Sequence, residues 1–241
     1  MNIQYFSELA STNQYCELLD LSRIEEFTVI CARAQTLGKG QHDHQWESQP
    51  GKNLTFSLIL HPWFLPFADQ FMLTKVLSLG LCDCLHTLIP EAQVHIKWPN
   101  DIYVGKHKIC GILVSNRTKG DLISSSICGI GLNVNQTHFP SWVPNPTSLA
   151  LLSHQEYELE QLLEQLLHHI ETRYHQLQSH DSRLDTDYLL HLMNLHTQAT
   201  YLYQGSTIQA TIEGITSYGH LQLRTSEGEL LTCAHGEITF L

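Results

Sequence analysis

Between Pro66 and Pro90 runs the segment FADQFMLTKVLSLGLCDCLHTLI, apolar over most of its length. A run of this length bounded by two prolines predicts a single buried helix, because proline ends the helical ladder at each side. Such a helix needs apolar partners around it. They are supplied by short runs rich in β-branched and aromatic residues: FTVICARAQ (27–35), NLTFSLIL (53–60), VHIKW (94–98), DIYV (101–104), HKICGILVS (107–115) and ISSSICGIGLNV (123–134). These read as strands. YVGKHK between two of them predicts a hairpin with Gly105 in its turn. From Glu156, EYELEQLLEQLLHHIETRYHQL repeats leucine at i, i+3, i+4 and i+7, an amphipathic helix whose stripe packs on a core. A second helix is expected over Asp181–Leu195. Beyond about Gln198 the pattern changes to short alternating strands separated by Gly205, YGH, EGE and HGE, which predicts a small β-barrel. The expected architecture is therefore α+β: a mixed β-sheet with packed helices over residues 1–197, followed by a small barrel over 198–241.

Composition narrows the functional classes. The 241 residues carry a formal net charge of −11, and their thirteen lysines and arginines are scattered. Phosphate contacts dominate nucleic-acid affinity, so no DNA partner is expected. No apolar run approaches the roughly 20 residues of a bilayer span, so no membrane is expected either. The N-terminus MNIQYFSELASTNQY lacks the basic and apolar regions of a secretory signal. The seven cysteines include no CxxC pair and lie mostly in apolar runs, the pattern of reduced thiols in a cytoplasmic protein. Cys82 and Cys84, in the apolar helix, point apart and are expected to have no redox role.

Two segments carry chemistry. The first, AQTLGKGQHDHQWESQPGKNL, lies between two strands. It fails the dinucleotide fingerprint, because Asp43 stands at the third glycine position and a strand follows. It also fails the Walker pattern. Gly38 and Gly40 permit positive φ and close approach of backbone to a ligand, and Lys39 adds charge. The bland alternative is a tight exposed loop. His42 and His44 suggest a metal, but no third or fourth ligand stands nearby, so no metal site is expected. The second segment is IKWPNDIYVGKHKICGILV. Pro99 stiffens the corner, Asn100 and Asp101 follow at the strand end, and Lys108 opens the return strand with Gly111 three residues on.

Together STN (11–13), AQTLGKGQ…W…PGKNL, KWPND, KICGIL and GIGLNVN resemble, in order and spacing, the biotin protein ligases. The resemblance covers most of residues 1–150, and the terminal segment is similar to that family's SH3-like domain. It implies a class II synthetase-like catalytic domain that makes biotinyl-5′-AMP from biotin and ATP with Mg²⁺. Biotin then passes to a lysine of a biotin carboxyl carrier domain. By the same resemblance Lys108, Asp101 and Lys39 are the expected catalytic residues. Biotin is assigned to Ser11, Thr12, Asn13, Gln35, Lys39, Gly40, Gln41, Lys108 and Gly111, and the nucleotide to Gly38, Lys39, Gly40, Trp46, Asn100 and Asn133. Asp101 is left two roles, orienting the acceptor amine or holding Mg²⁺. The family pattern has arginines in the glycine loop where this chain has Lys39 and His42, and a third glycine where it has Asp43. Lysine cannot make arginine's bidentate fork with phosphate. His42 would make the loop's charge depend on pH. The first motif starts at Ser11, leaving no room for the helix-turn-helix of about 60 residues that repressor members carry. The expectation is a short form without DNA binding. A homodimer is compatible with the resemblance, and a lipoate ligase or acyltransferase of the related fold is the alternative activity. A catalytically inactive binding module is a further reading, which retention of Lys108 opposes.

Overall fold

A computed structural model describes residues 1–41 and 45–241. Strands β1 (Asn2–Phe6), β2 (Thr28–Ala32), β3 (Leu54–Leu60), β4 (Val94–Lys97), β5 (Asp101–Val104), β6 (His107–Lys119) and β7 (Leu122–Leu132) form one sheet. Its order is β1-β2-β3-β7-β6-β5-β4, with β1 parallel to β2 and the other pairs antiparallel. Every residue of β2 and of β3 is buried. Strands covered on both faces read as continuous apolar runs rather than as alternation.

Helices α2 (Phe71–Leu88) and α4 (Leu159–Gln178) pack together, joined by α5 (Arg183–His191). The leucine stripe of α4 behaves as its periodicity requires: Leu162, Leu163, Leu166, Leu167, Ile170 and Tyr174 are buried in the main core. At Gly80 the two helices come so close that a Cβ would lie 2.8 Å from the Ile170 Cα, so only glycine fits. Arg173 ties three helices, donating from Nε to Asp83 of α2 at 2.6 Å and from Nη1 to Asp187 of α5 at 2.6 Å. By length and composition the stretch Phe67–Leu88 would suffice to cross a membrane, which the sequence reading had excluded. Most of α2 is instead spent on the core, from Leu73 to Leu85.

Three further differences concern local structure. The parallel edge strand β1 and the short helix α1 (Thr12–Glu17) were not foreseen. They are too short for periodicity to register, and β1 is half exposed. The strand expected over 27–35 is confined to Thr28–Ala32, and the helix expected over 181–195 to Arg183–His191. Leu192 turns extended and bridges to Ile96, which stops the helix.

The second sheet comprises β8 (Gln198–Tyr203), β9 (Ser206–Ile215), β10 (Leu221–Thr225), β11 (Leu230–Cys233) and β12 (Ile238–Phe240), in the order β11-β10-β9-β8-β12 and antiparallel throughout. It is a small β domain. Its buried residues Tyr201, Ile212, Leu221 and Leu223 continue the core of the large sheet without a break. Trp98 secures the junction, donating its indole N–H to the Gly219 carbonyl at 2.9 Å.

Candidate active site

The site is built on β7. On this strand Gly129 and Gly131 alternate with Ile130 and Leu132 and so share one face, and Asn133 follows directly after the strand ends. A side chain on Gly129 would collide with the Asn13 amide, and one on Gly131 with the Trp46 indole. Gly111, paired with Gly131 across β6–β7, would meet Trp46 at 3.1 Å and the Lys108 Nζ at 3.5 Å. The glycines thus form a floor on which the Asn13 amide and the Trp46 indole lie directly against the main chain. Above it lies a cavity of about 650 Å³. This is ample for a small organic ligand plus a nucleotide.

At one end, α1 begins over Gly129. Its first backbone N–H, from Thr12, donates to Gln35 Oε1 at 2.7 Å, while Ser11 makes no capping bond of its own. The buried Ser57 Oγ lies 2.8 Å from Thr12 Oγ1 and 2.5 Å from Asn13 Oδ1. An amide oxygen only accepts, so the single Ser57 proton goes to Asn13 and the Thr12 hydroxyl donates to Ser57. Thr12 is left with free acceptor capacity, and Gln35, its oxygen engaged, offers its amide N–H. Ser11, Thr12, Asn13 and Gln35 all line the cavity. Ser57 was not anticipated, since nothing in the β3 sequence marks it as the residue that orients this group.

Two residues further along, Lys108 and Asp101 face the floor. Lys108 Nζ stands 2.7 Å from Asp101 Oδ1, both side chains about one-quarter exposed. The Trp46 ring lies 5.7 Å from the same nitrogen, within cation–π range. The hairpin accounts for the pairing: a register shift between Ile102 and Tyr103 in β5–β6 lets Asp101 and Lys108 converge although seven residues separate them. Lys108 is also held at its backbone, its N–H donating to the Asn145 carbonyl at 2.7 Å and its carbonyl accepting from Thr147 at 2.9 Å. These bonds draw the 139–146 loop over the cavity, where Phe139, Trp142 and Val143 line it.

At the far end Asn133 donates Nδ2 to the Thr147 carbonyl at 2.9 Å, and its Oδ1 is buried without a partner among the described residues. The Trp46 indole N–H is likewise unpartnered. Unmet buried polar atoms facing a cavity mark positions where a ligand can complete the hydrogen bonding. Asn100 also lines the cavity, with its amide donating to the Ile112 carbonyl.

The glycine loop is divided. Lys39, Gly40 and Gln41 line the cavity, Lys39 being exposed. Gly38 does not: it is buried beneath Trp46, accepts that residue's N–H at 3.0 Å and has no positive φ. A Cβ there would lie 2.5 Å from the Trp46 carbonyl oxygen. Its glycine serves packing, not the left-handed backbone expected for it. His42, Asp43 and His44 lie outside the described residues, as do the metal and pH expectations attached to them. Among the described residues no group of three or more His, Cys, Asp or Glu is placed to hold a metal ion.

Lys97 and the β12 segment complete the wall. Lys97, at the end of β4, and Thr239 and Phe240 of the small domain face the same cavity. Lys97 stands inside the KWPND motif, but no site role was read for it there. The β12 residues were not legible, since about 100 residues separate them from the rest of the site.

A glycine-floored cavity with an ion-paired lysine, polar groups at both ends and two lobes around it defines a small-molecule site of an α+β enzyme that handles anionic substrates. The comparisons specify which. Residues 5–133 match the model of the biotin/lipoate A/B protein ligase family, and the chain belongs to that family of ligases. It is 29% identical over 228 residues to the bifunctional ligase/repressor BirA of Bacillus subtilis, covering 93% of this chain and 70% of that one. It is 24% identical over 217 residues to the biotin--[acetyl-CoA-carboxylase] ligase of Mycobacterium tuberculosis, covering 88% and 79%. Among solved structures it is similar to the biotin protein ligase from Aquifex aeolicus in complex with biotin and ATP, with a TM-score of 0.82 at 24% identity over 100% of this chain and 98% of that one.

Proposed function

We propose that this chain is an ATP-dependent biotin protein ligase that forms biotinyl-5′-AMP and passes biotin to a lysine of a biotin carboxyl carrier domain. One observation carries the reading: the order of groups along β7 and the residue that follows it. Hydrogen-bonding side chains stand over Gly129, the Trp46 indole over Gly131 with the Lys108 cation over Gly111, its cross-strand partner, and an amide acceptor at Asn133. Four residues of strand span about 13 Å, the scale on which a bicyclic ring, an acyl-phosphate and a purine follow one another in an acyl adenylate.

The ring end suits a ureido group. Its two N–H donors would meet the free acceptor capacity at Ser11 and Thr12, and its carbonyl the Gln35 amide. In the first step a biotin carboxylate oxygen bonds to the α-phosphorus of ATP. The bond from that phosphorus to the β-phosphate bridging oxygen breaks, and pyrophosphate leaves with the electron pair. Lys108 lies where the two anions must meet and offsets their repulsion. Lys39 and the backbone N–H groups of the glycine loop supplement it. Trp46 and Asn133 would hold the adenine. In the second step the acceptor amine bonds to the acyl carbon and AMP departs. Asp101, held by the Lys108 ion pair, would orient that amine and take its proton. Mg²⁺ would enter with the nucleotide phosphates and add to the charge that Lys108 supplies there. ATP as substrate fits a cytoplasmic location.

The test is pyrophosphate release by the purified chain with ATP and either biotin or lipoate, followed by transfer to a carrier domain. Biotin-dependent release with labelling of one lysine is expected. Release that depends on lipoate instead would move the assignment to the lipoate branch of the family.

A further inference from the structure

Lys97 is the one cavity-lining lysine besides Lys108 that is half-buried, and it forms no ion pair with any described carboxylate. Its cross-strand partner is Asp101, but that carboxylate is engaged by Lys108. What surrounds the Lys97 ammonium is aromatic. Nζ lies 5.0 Å from the Tyr103 ring centre, 5.3 Å from that of Phe240, and 3.5 Å from the Tyr103 hydroxyl. A cation so placed has shed much of its water without gaining a counter-ion. Burial holds its pKa below the ordinary lysine value, Lys108 pushes it further down, and only Asp101 opposes this. An anion arriving in the cavity would supply the missing charge.

We propose that Lys97 binds the β,γ-phosphates of the nucleotide and the pyrophosphate that leaves, and that Phe240 of the small β domain positions it. The inference rests on the ligase reading above. The division of labour follows from placement. Lys108, paired to Asp101 and over Gly111, serves the α-phosphate, where a bond is made. Lys97 ends β4, one strand further out than Asp101, beside the wall formed by β12. Phe240 acts through Lys97. Its ring closes one face of the ammonium and itself packs on Tyr201, with ring centres 5.2 Å apart. In this way the small domain takes part in nucleotide binding without a polar group of its own on the phosphate. The groups facing Lys97 are Asp101 and Lys108 from the hairpin, Tyr103 beside it and His235 on the barrel side of the cavity.

The experiment compares the full chain with Lys97→Met, Lys97→Arg and Phe240→Leu. Binding of magnesium pyrophosphate alone and of biotin alone is measured by calorimetry, and the KM for ATP by biotin-dependent pyrophosphate release. Lys97→Met should weaken pyrophosphate binding and raise the KM for ATP by about tenfold or more, the scale of one charge-assisted hydrogen bond. Biotin affinity should stay within about twofold of the parent. Lys97→Arg, which keeps the charge, should recover most of the loss. Phe240→Leu should shift the KM for ATP in the same direction by less, leaving biotin affinity alone. Pyrophosphate affinity indifferent to Lys97→Met, in a chain that binds biotin, overturns the proposal. So does failure of Lys97→Arg to recover binding while its melting temperature matches the parent. A chain that ignores biotin yet loses pyrophosphate on Lys97→Met would refute the ligase reading and leave the phosphate site standing.

Discussion

Lys108 and Asp101 meet at 2.7 Å across the β5–β6 hairpin, on the one stretch of that hairpin whose register shifts. The pair sets two different losses. Removing the cation with Lys108→Ala takes away charge stabilisation at the phosphorus, so biotin-dependent pyrophosphate release should fall by about 10²–10³ with the fold intact by circular dichroism. Asp101→Asn keeps shape and removes the base. Adenylate formation should persist in it while transfer to the carrier lysine slows more strongly. Single-turnover measurement of each half-reaction checks both, and equal slowing of the two steps by Asp101→Asn would remove the assigned role.

Gln35 has its side-chain oxygen committed to the Thr12 N–H. Gln35→Ala therefore loses two things, the ligand-facing amide and the bond that holds the start of α1. Biotin affinity should drop by about 1–3 kcal/mol, with some loss of thermal stability. Gln35→Glu separates them: the acceptor for Thr12 remains, so stability should hold while biotin affinity still falls. Calorimetry and thermal melts of the two variants give the answer. Wild-type affinity in Gln35→Glu would show that the amide N–H does not touch the ligand.

The glycine floor predicts steric phenotypes graded by what stands above each position. At Gly131 an added methyl displaces the Trp46 indole, so Gly131→Ala should change tryptophan emission and weaken nucleotide binding. At Gly129 it strikes the Asn13 amide and breaks the Ser57–Asn13–Thr12 arrangement. There the cost should appear in stability, by about 1–3 kcal/mol, as well as in biotin affinity. Gly120, which has open space around it and a positive φ of 63°, should tolerate alanine with only backbone strain and no change in ligand binding. Reversal of that order in binding measurements would contradict the floor.

All seven cysteines are free and buried. Burial pushes the Cys16, Cys31, Cys84 and Cys128 thiols up to about 12 and Cys233 to about 11. The thiolate is the reactive form. At pH 8 the native protein should give almost no fast reaction with a disulfide reagent such as dithionitrobenzoate, and seven equivalents once unfolded. A fast equivalent in the native protein would identify an open thiol that the fold does not show.

The chemistry-bearing residues were legible because they lie close together in the chain. KWPND forms the corner from β4 into β5, Lys108 stands on the β6 arm of the next hairpin, and the STN and glycine segments are short and polar between apolar runs. The leucine stripe of α4 and the apolar α2 were legible because a buried helix must repeat its side chains on a helical period. Gly38 was read as open to positive φ and to close approach of a ligand, and this fold uses it for neither. Glycine is required there by the Trp46 carbonyl packed against it, and a crowded neighbour leaves no trace in local sequence.

What the chain's order of residues determines by itself is most of the strands of the large sheet, the two main helices, the small β domain and the groups able to meet an anion. Local propensity and periodicity are properties of neighbours in sequence. Only the tertiary structure decides that three glycines from two strands make one floor, that Ser57 sets which way Thr12 and Asn13 point, and that Phe240 from the far end of the chain closes over Lys97. These relationships arise from sheet register and from the packing of one lobe on the other. Register and packing couple residues across the whole length of the chain, where no local pattern reaches.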